Sequence, residues 1–159
     1  MNRIAVRPNR MSDRSLDATY DAAVANRFLE MNEKLTGLPA FLGIRFTEFG
    51  PGRLCAQFEV RPELLTPFGN MHGGVLSAAC DHVLGCVCYP HMKPGWWAAT
   101  TEFKLNLLAP VSEGTVIAEA EIASMTRTTA VVQIRISNEG RVVCLAQGTV
   151  LIREPKTSS

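Results

Sequence analysis

The residues from Asn70 to Pro90, NMHGGVLSAACDHVLGCVCYP, constrain this chain more than any other stretch. They open on His72-Gly73-Gly74 and run into small and apolar side chains broken by one carboxylate, Asp81. No Gly or Pro falls between Val75 and Leu84, and Ala and Leu are frequent, which predicts a helix. Val75, Leu76, Ala78, Ala79, Val83, Leu84, Cys86 and Val87 cover nearly all of its faces, so most of it must be buried. The exception is the row Ser77, Asp81, Gly85, spaced i, i+4, i+8 and aligned on one side. An unpaired carboxylate is costly to bury, or is driven to a raised pKa. By spacing alone, Asp81 reads either as a carboxylate held in a network of Ser and Thr hydroxyls or as a functional group.

Around this helix the chain reads as strands, with a helix in front. Tyr20, Val24, Phe28, Met31 and Leu35 recur at helical spacing and predict an amphipathic helix over 15–36, stopped by Gly37 and Pro39. Its polar face carries Asp17, Asp21, Glu30 and Glu33, which disfavours a membrane surface. Strands are expected over 41–49 and 53–60, joined by the turn Gly50-Pro51-Gly52. Residues 64–71 read as a loop. After Tyr89-Pro90 ends the central helix, alternating segments predict strands over 97–108, 114–124, 129–137 and 141–152, with a hairpin turn at Asn138-Glu139-Gly140. Short turns among these predict an antiparallel meander. The expected architecture is α+β, a curved antiparallel sheet wrapped around one long central helix, with an extra N-terminal helix. The chain divides into a flexible basic arm (1–14), the N-terminal helix (15–37), one domain (38–153) and a flexible polar tail (154–159).

Composition excludes several classes. With 16 Lys plus Arg against 15 Asp plus Glu, no charge excess points to nucleic acid. The arginines of the arm, Arg3, Arg7, Arg10 and Arg14, read as a solvated terminus with no apolar signal core. No apolar run approaches the ~20 residues that span a bilayer. The 5 cysteines are odd in number, form no CxxC, and include Cys86 and Cys88, which point apart on a helix. They read as small buried hydrophobes in a reducing cytoplasm. His82 follows Asp81, but successive helix residues point ~100° apart, so the two form no dyad. No paired-ligand spacing supports a metal, and Ser77 lacks a nucleophile-elbow context. His91 is expected at the surface. Trp96-Trp97 reads as tunnel lining, subunit contact or ordinary strand packing.

The element order and the motifs resemble the hotdog-fold acyl-CoA thioesterases, in particular the phenylacetate-degradation type related to small mammalian thioesterase-superfamily proteins. The matching residues are His72-Gly73-Gly74, Asp81 nine positions after the His, Thr100-Thr101-Glu102-Phe103-Lys104-Leu105-Asn106 opening the next strand, and Pro110 before Gly114. The resemblance implies a thioester carbonyl polarised by the Gly73 N–H, with His72 orienting the loop or touching the thioester. It implies Asp81 as general base or nucleophile and Thr100 positioning water. Thr66, Asn70, Gly74, Ser77 and Arg127 are the implied substrate-binding positions. The family commonly has an Asn six residues before this His, where Thr66 stands here, and Asn70 or Thr66 is left to supply that contact. Arg127-Thr128 stands where a Gly-Arg pair is frequent; it meets a CoA phosphate or is an exposed turn arginine. The resemblance further implies a dimer or dimer of dimers with the site between subunits, and no metal or other cofactor beyond the acyl-CoA substrate. The alternatives are a hydroxyacyl-thioester dehydratase and a non-catalytic acyl-CoA-binding or regulatory module.

Overall fold

The structure, a computed structural model, describes residues 10–155, with side chains from residue 15. Most of the basic arm and most of the polar tail therefore lie outside the described residues. The backbone is already helical from Arg10, in α1 (Arg10–Thr19).

The single helix expected over 15–36 is divided. Asp21 adopts an extended backbone (φ −104°, ψ 101°), and its carboxylate accepts from the Ala23 and Val24 N–H groups. That N-cap starts a separate α2 (Ala22–Glu30), followed by a 3₁₀ turn over Met31–Lys34. Gly37 and Pro39, read as a stop, instead open a short α3 (Gly37–Leu42). A proline in the first helical turn forfeits only an N–H that has no partner within the helix. Gly43, with φ 74°, ends α3, so β1 (Arg45–Gly50) begins four residues later than alternation suggests.

The remaining strands fall close to their expected places: β2 (Arg53–Glu59), β3 (Trp97–Leu107), β4 (Thr115–Met125), β5 (Thr129–Asn138) and β6 (Arg141–Arg153). They form one antiparallel sheet in the order β1-β2-β4-β5-β6-β3. The expected four-strand meander holds only for β4, β5 and β6. β3 does not pair with β4; it leaves for the far edge, beside β6. The chain returns through residues 108–114, pinned by Leu108 N–H to the Val143 carbonyl (2.8 Å) and by Met71 N–H to the Val111 carbonyl (2.7 Å).

The central helix α4 (Gly73–Cys86) lies across the inner face of the sheet and buries Leu76, Ala79, Cys80, Val83 and Leu84. They meet the inward rows Leu54-Ala56-Phe58, Val116-Ala118-Ala120-Ile122 and Val132-Ile134-Ile136, all buried. Each large aliphatic side chain removed from water there contributes roughly 1.5–3 kcal/mol, which holds α4 to the sheet. Contact is tightest at Gly148 on β6: a Cβ there would stand 2.4 Å from Leu84 Cδ1 and 2.7 Å from the Glu102 carbonyl oxygen. Among described residues no helix is long and apolar enough to cross a membrane.

Candidate active site

The site begins at the N-terminus of α4. His72 is the N-cap, and its Nδ1 accepts from the Gly74 N–H at 2.9 Å. The neutral ring therefore carries its proton on Nε2. The next N–H back, that of Gly73, has no acceptor among the described residues. The two glycines thus differ: one N–H completes the cap, the other is open. Ser77 Oγ donates to the Gly73 carbonyl at 2.9 Å, which spends the serine on the helix's own backbone. A free N–H at the positive end of a helix favours developing negative charge.

The loop before the helix is a tight hairpin. Thr66 N–H donates to the Asn70 carbonyl (2.7 Å) and Gly69 N–H to the Thr66 carbonyl (3.0 Å), with Gly69 at φ 83°. Thr66 Oγ1 accepts from the Phe68 N–H at 3.3 Å, and the Asn70 side chain is left exposed beside Gly73. Asn70, Gly73, Leu76 and the crossover residues Leu107–Val111 enclose an open groove of about 310 Å³. A larger concavity of about 910 Å³ lies on the opposite face of the sheet and contains none of the expected site residues. Chemistry therefore points to the smaller one.

Asp81 is exposed, on the row Ser77, Asp81, Gly85 set apart from the otherwise buried helix. The accessible face of α4 is the stripe Gly74, Ser77, Ala78, Asp81, Gly85, all small apart from the carboxylate. Asp81 stands eight residues past Gly73, roughly 12 Å along the helix axis at 1.5 Å per residue. His82 turns away and stacks on Phe46, with ring centroids 5.3 Å apart and planes at 19°. Burial pushes its pKa down, opposed by the charge of Asp81. Its Nε2 is buried without a partner.

Thr100 is placed by an irregularity that alternation could not reveal. Thr100 pairs with Val150 but Glu102 with Thr149, so the register shifts at Thr101. Directly opposed residues share a face, and Val150 is wholly buried, so Thr100 faces the helix side. Phe103, Leu105 and Leu107 face the same side, opposite Gly148, Ala146 and Cys144. Thr101 sits in the bulge and donates to the Thr149 carbonyl at 3.0 Å. Thr100 is roughly 20 Å along the strand from Leu107, which touches Gly73.

One chain therefore brings together His72, Gly73, Gly74, Ser77, Thr66 and Asn70, and spreads Asp81 and Thr100 away from them along α4 and β3. Arg127 lies apart, at the β4–β5 turn, where it pairs with Glu154 at 3.3 Å and both are exposed. Trp97 is half-exposed at the start of β3, and Trp96 packs under the Lys93 ammonium at 5.5 Å. No group of three or more His, Cys, Asp or Glu that could hold a metal occurs among the described residues.

A curved antiparallel sheet around one helix, with a glycine-flanked histidine at that helix's N-terminus, defines the hotdog class. Residues 68–145 match the family described as the Thioesterase superfamily. The 1,4-dihydroxy-2-naphthoyl-CoA hydrolase of Listeria monocytogenes is 27% identical over 121 residues, covering 76% of this chain and 98% of that one. ComA2 of Bacillus subtilis, which carries a provisional esterase name, is 33% identical over 124 residues, covering 77% and 98%. Among solved structures, the Haemophilus influenzae thioesterase HI1161 superposes with a TM-score of 0.77 at 26% identity, covering 81% of this chain and 92% of that one. The chain belongs to the thioesterase superfamily.

Proposed function

We propose that this protein hydrolyses acyl-CoA thioesters to the free acid and CoA, at a site completed by a second copy of the chain. The observation that carries the reading is the open Gly73 N–H on the wall of an uncharged groove. A thioester carbonyl oxygen placed there gains a donor aimed at the charge that grows during attack. Asp81 supplies the second half. As general base it takes a proton from water while the water oxygen bonds to the carbonyl carbon; as nucleophile its own oxygen forms that bond, and water then cleaves the resulting anhydride. In either course the C–S bond breaks, the sulfur leaves as thiolate and is protonated to CoA. Thr100 Oγ orients the water.

Roughly 12 Å of helix separates Gly73 from Asp81, far beyond the ~3 Å reach of proton transfer. A two-fold copy runs its helix the other way and offers its own Asp81 to this Gly73. Two features support that copy. The stripe on α4, with Gly74 and Asp81 exposed and Ser77, Ala78 and Gly85 partly buried, is built mostly of small residues, which permits close approach. β3, with 11 residues, is an unpaired sheet edge with no proline, a surface that proteins seldom leave open. The Listeria relative is named a hydrolase of a CoA thioester, which fits the reading.

The test is thiol release from short, medium, long and aromatic acyl-CoAs, comparing wild type with Asp81→Ala. The expected outcome is turnover that drops at least a hundredfold in the variant, while circular dichroism and mass in solution are unchanged. Turnover indifferent to Asp81 would remove its role. Acyl-CoA binding without turnover would support the binding-module alternative, and hydration of a crotonyl thioester would support the dehydratase.

A further inference from the structure

β3 leaves the sheet at Leu107, and the next residues wrap the start of α4. Leu107 and Leu108 are 54% and 52% exposed, unusual for leucines beside a site. Leu107 leans over the catalytic turn: a Cβ on Gly73 would stand 2.7 Å from Leu107 Cδ1 and 3.9 Å from its Cγ. Apart from its chain neighbours, no other side chain among the described residues comes within 4 Å of that position. Leu107 therefore overhangs the residue that carries the open N–H. The wall behind it is fixed, because Leu108 is bonded to Val143 and Val111 to Met71 through the backbone. The groove contains no charged side chain; Met71, Leu76, Leu107, Leu108 and Val111 give it an apolar lining. At about 310 Å³ it stands at the low end of the ~300–1,000 Å³ range of ligand sites, enough for an acyl group but not for the whole of an acyl-CoA.

We infer that this groove takes an uncharged, apolar acyl group and that Leu107 sets the bulk allowed next to the thioester carbonyl. The inference rests on the hydrolase reading above and deepens it. Within one chain the Leu107 side chain is more than half exposed and lies outside the buried core, so its removal opens space without collapsing the core. A carboxylate carried on the acyl group would enter a groove offering no cation, and would lose its hydration without compensation.

The test is steady-state thiol release from acetyl-, hexanoyl-, decanoyl-, benzoyl- and succinyl-CoA, by wild type, Leu107→Ala, Leu107→Trp and Leu108→Lys. Wild type is expected to prefer hexanoyl- over succinyl-CoA by at least about tenfold in kcat/KM. Leu107→Ala should raise the benzoyl-to-acetyl ratio about tenfold, Leu107→Trp should lower it, and Leu108→Lys should raise the succinyl-to-hexanoyl ratio. Circular dichroism on each variant establishes that the fold persists. An active wild type whose acyl profile is indifferent to both Leu107 changes would overturn the inference and leave the hydrolase reading standing. A wild type silent on all five thioesters would overturn both.

Discussion

At the scale of single residues, the two glycines after His72 do different work. The Gly74 N–H completes the cap and the Gly73 N–H stays open. Gly74→Ala would press a methyl to 2.9 Å from His72 Nδ1 and loosen the cap, a cost of about 1 kcal/mol to the helix. Gly73→Ala meets only the flexible tip of Leu107, so the protein should fold normally. Its methyl nevertheless stands where the proposed mechanism brings the thioester carbonyl. We expect Gly73→Ala to retain its melting temperature within a few degrees and to lose about 10²–10³ in kcat/KM for any acyl-CoA, measured by thiol release. A fully active Gly73→Ala would place the oxyanion elsewhere.

At the scale of elements, the N-terminal helices are stitched to the domain through polar side chains. Asn32 grips the backbone of Phe46 at both its N–H and its carbonyl, each at 2.8 Å. Phe46 in turn packs on Phe28, Phe49 and His82. His91, expected at the surface, is half-buried and joins three segments. Its Nε2 accepts from the Gly52 N–H (2.9 Å), and its Nδ1 meets Thr19 Oγ1 (2.9 Å). The Tyr20 ring lies 5.7 Å away. An Nε2 that must accept leaves no place for a second proton, and burial lowers the pKa of His91. The unfolded chain then binds the proton more readily, near pH 6.5, so stability rises with pH through this window. The contribution is complete above about pH 6.5 and is lost as pH falls through the lower folded value. We expect a melting temperature several degrees lower at pH 5 than at pH 7.5, and a smaller difference in His91→Gln. An identical pH response in that variant would show that His91 does not carry the effect.

At the scale of the whole molecule, a single chain leaves its candidate site in two halves. Gly73 lies at one end of α4, and Asp81 lies exposed eight residues along a stripe of mostly small residues. β3 forms an edge of the sheet. Ala78 lies on that stripe and makes no contribution to the chemistry proposed here, yet an arginine there would block close approach. Ala78→Arg should shift the protein to monomer in light scattering and abolish thiol release together, with the circular dichroism spectrum retained. A monomeric and active variant would refute the shared site.

The periodic parts of this fold follow from sequence because each side of each strand meets a single environment. Val116, Ala118, Ala120 and Ile122 alternate with Glu119 and Glu121, and only one pleat satisfies that pattern. The glycines after His72 and the all-round apolarity of α4 likewise fix a buried helix with an open N-terminus. What failed were features set by partners distant in sequence. The break at Asp21 is held by its N–H donating to the distant Pro90 carbonyl at 2.7 Å, and β3 joins β6 rather than β4, with the crossover anchored by Val143 and Met71. Thr100 faces the helix because of a bulge whose register exists only against β6. The sequence by itself determined the glycine-followed His72 turn at a helix start and which faces are apolar, since both are local properties of side chains. Only the tertiary structure decided that Asp81 is exposed, that Leu107 overhangs Gly73, and that the two halves of the site lie too far apart within one chain, because these are distances between segments that local pattern does not encode.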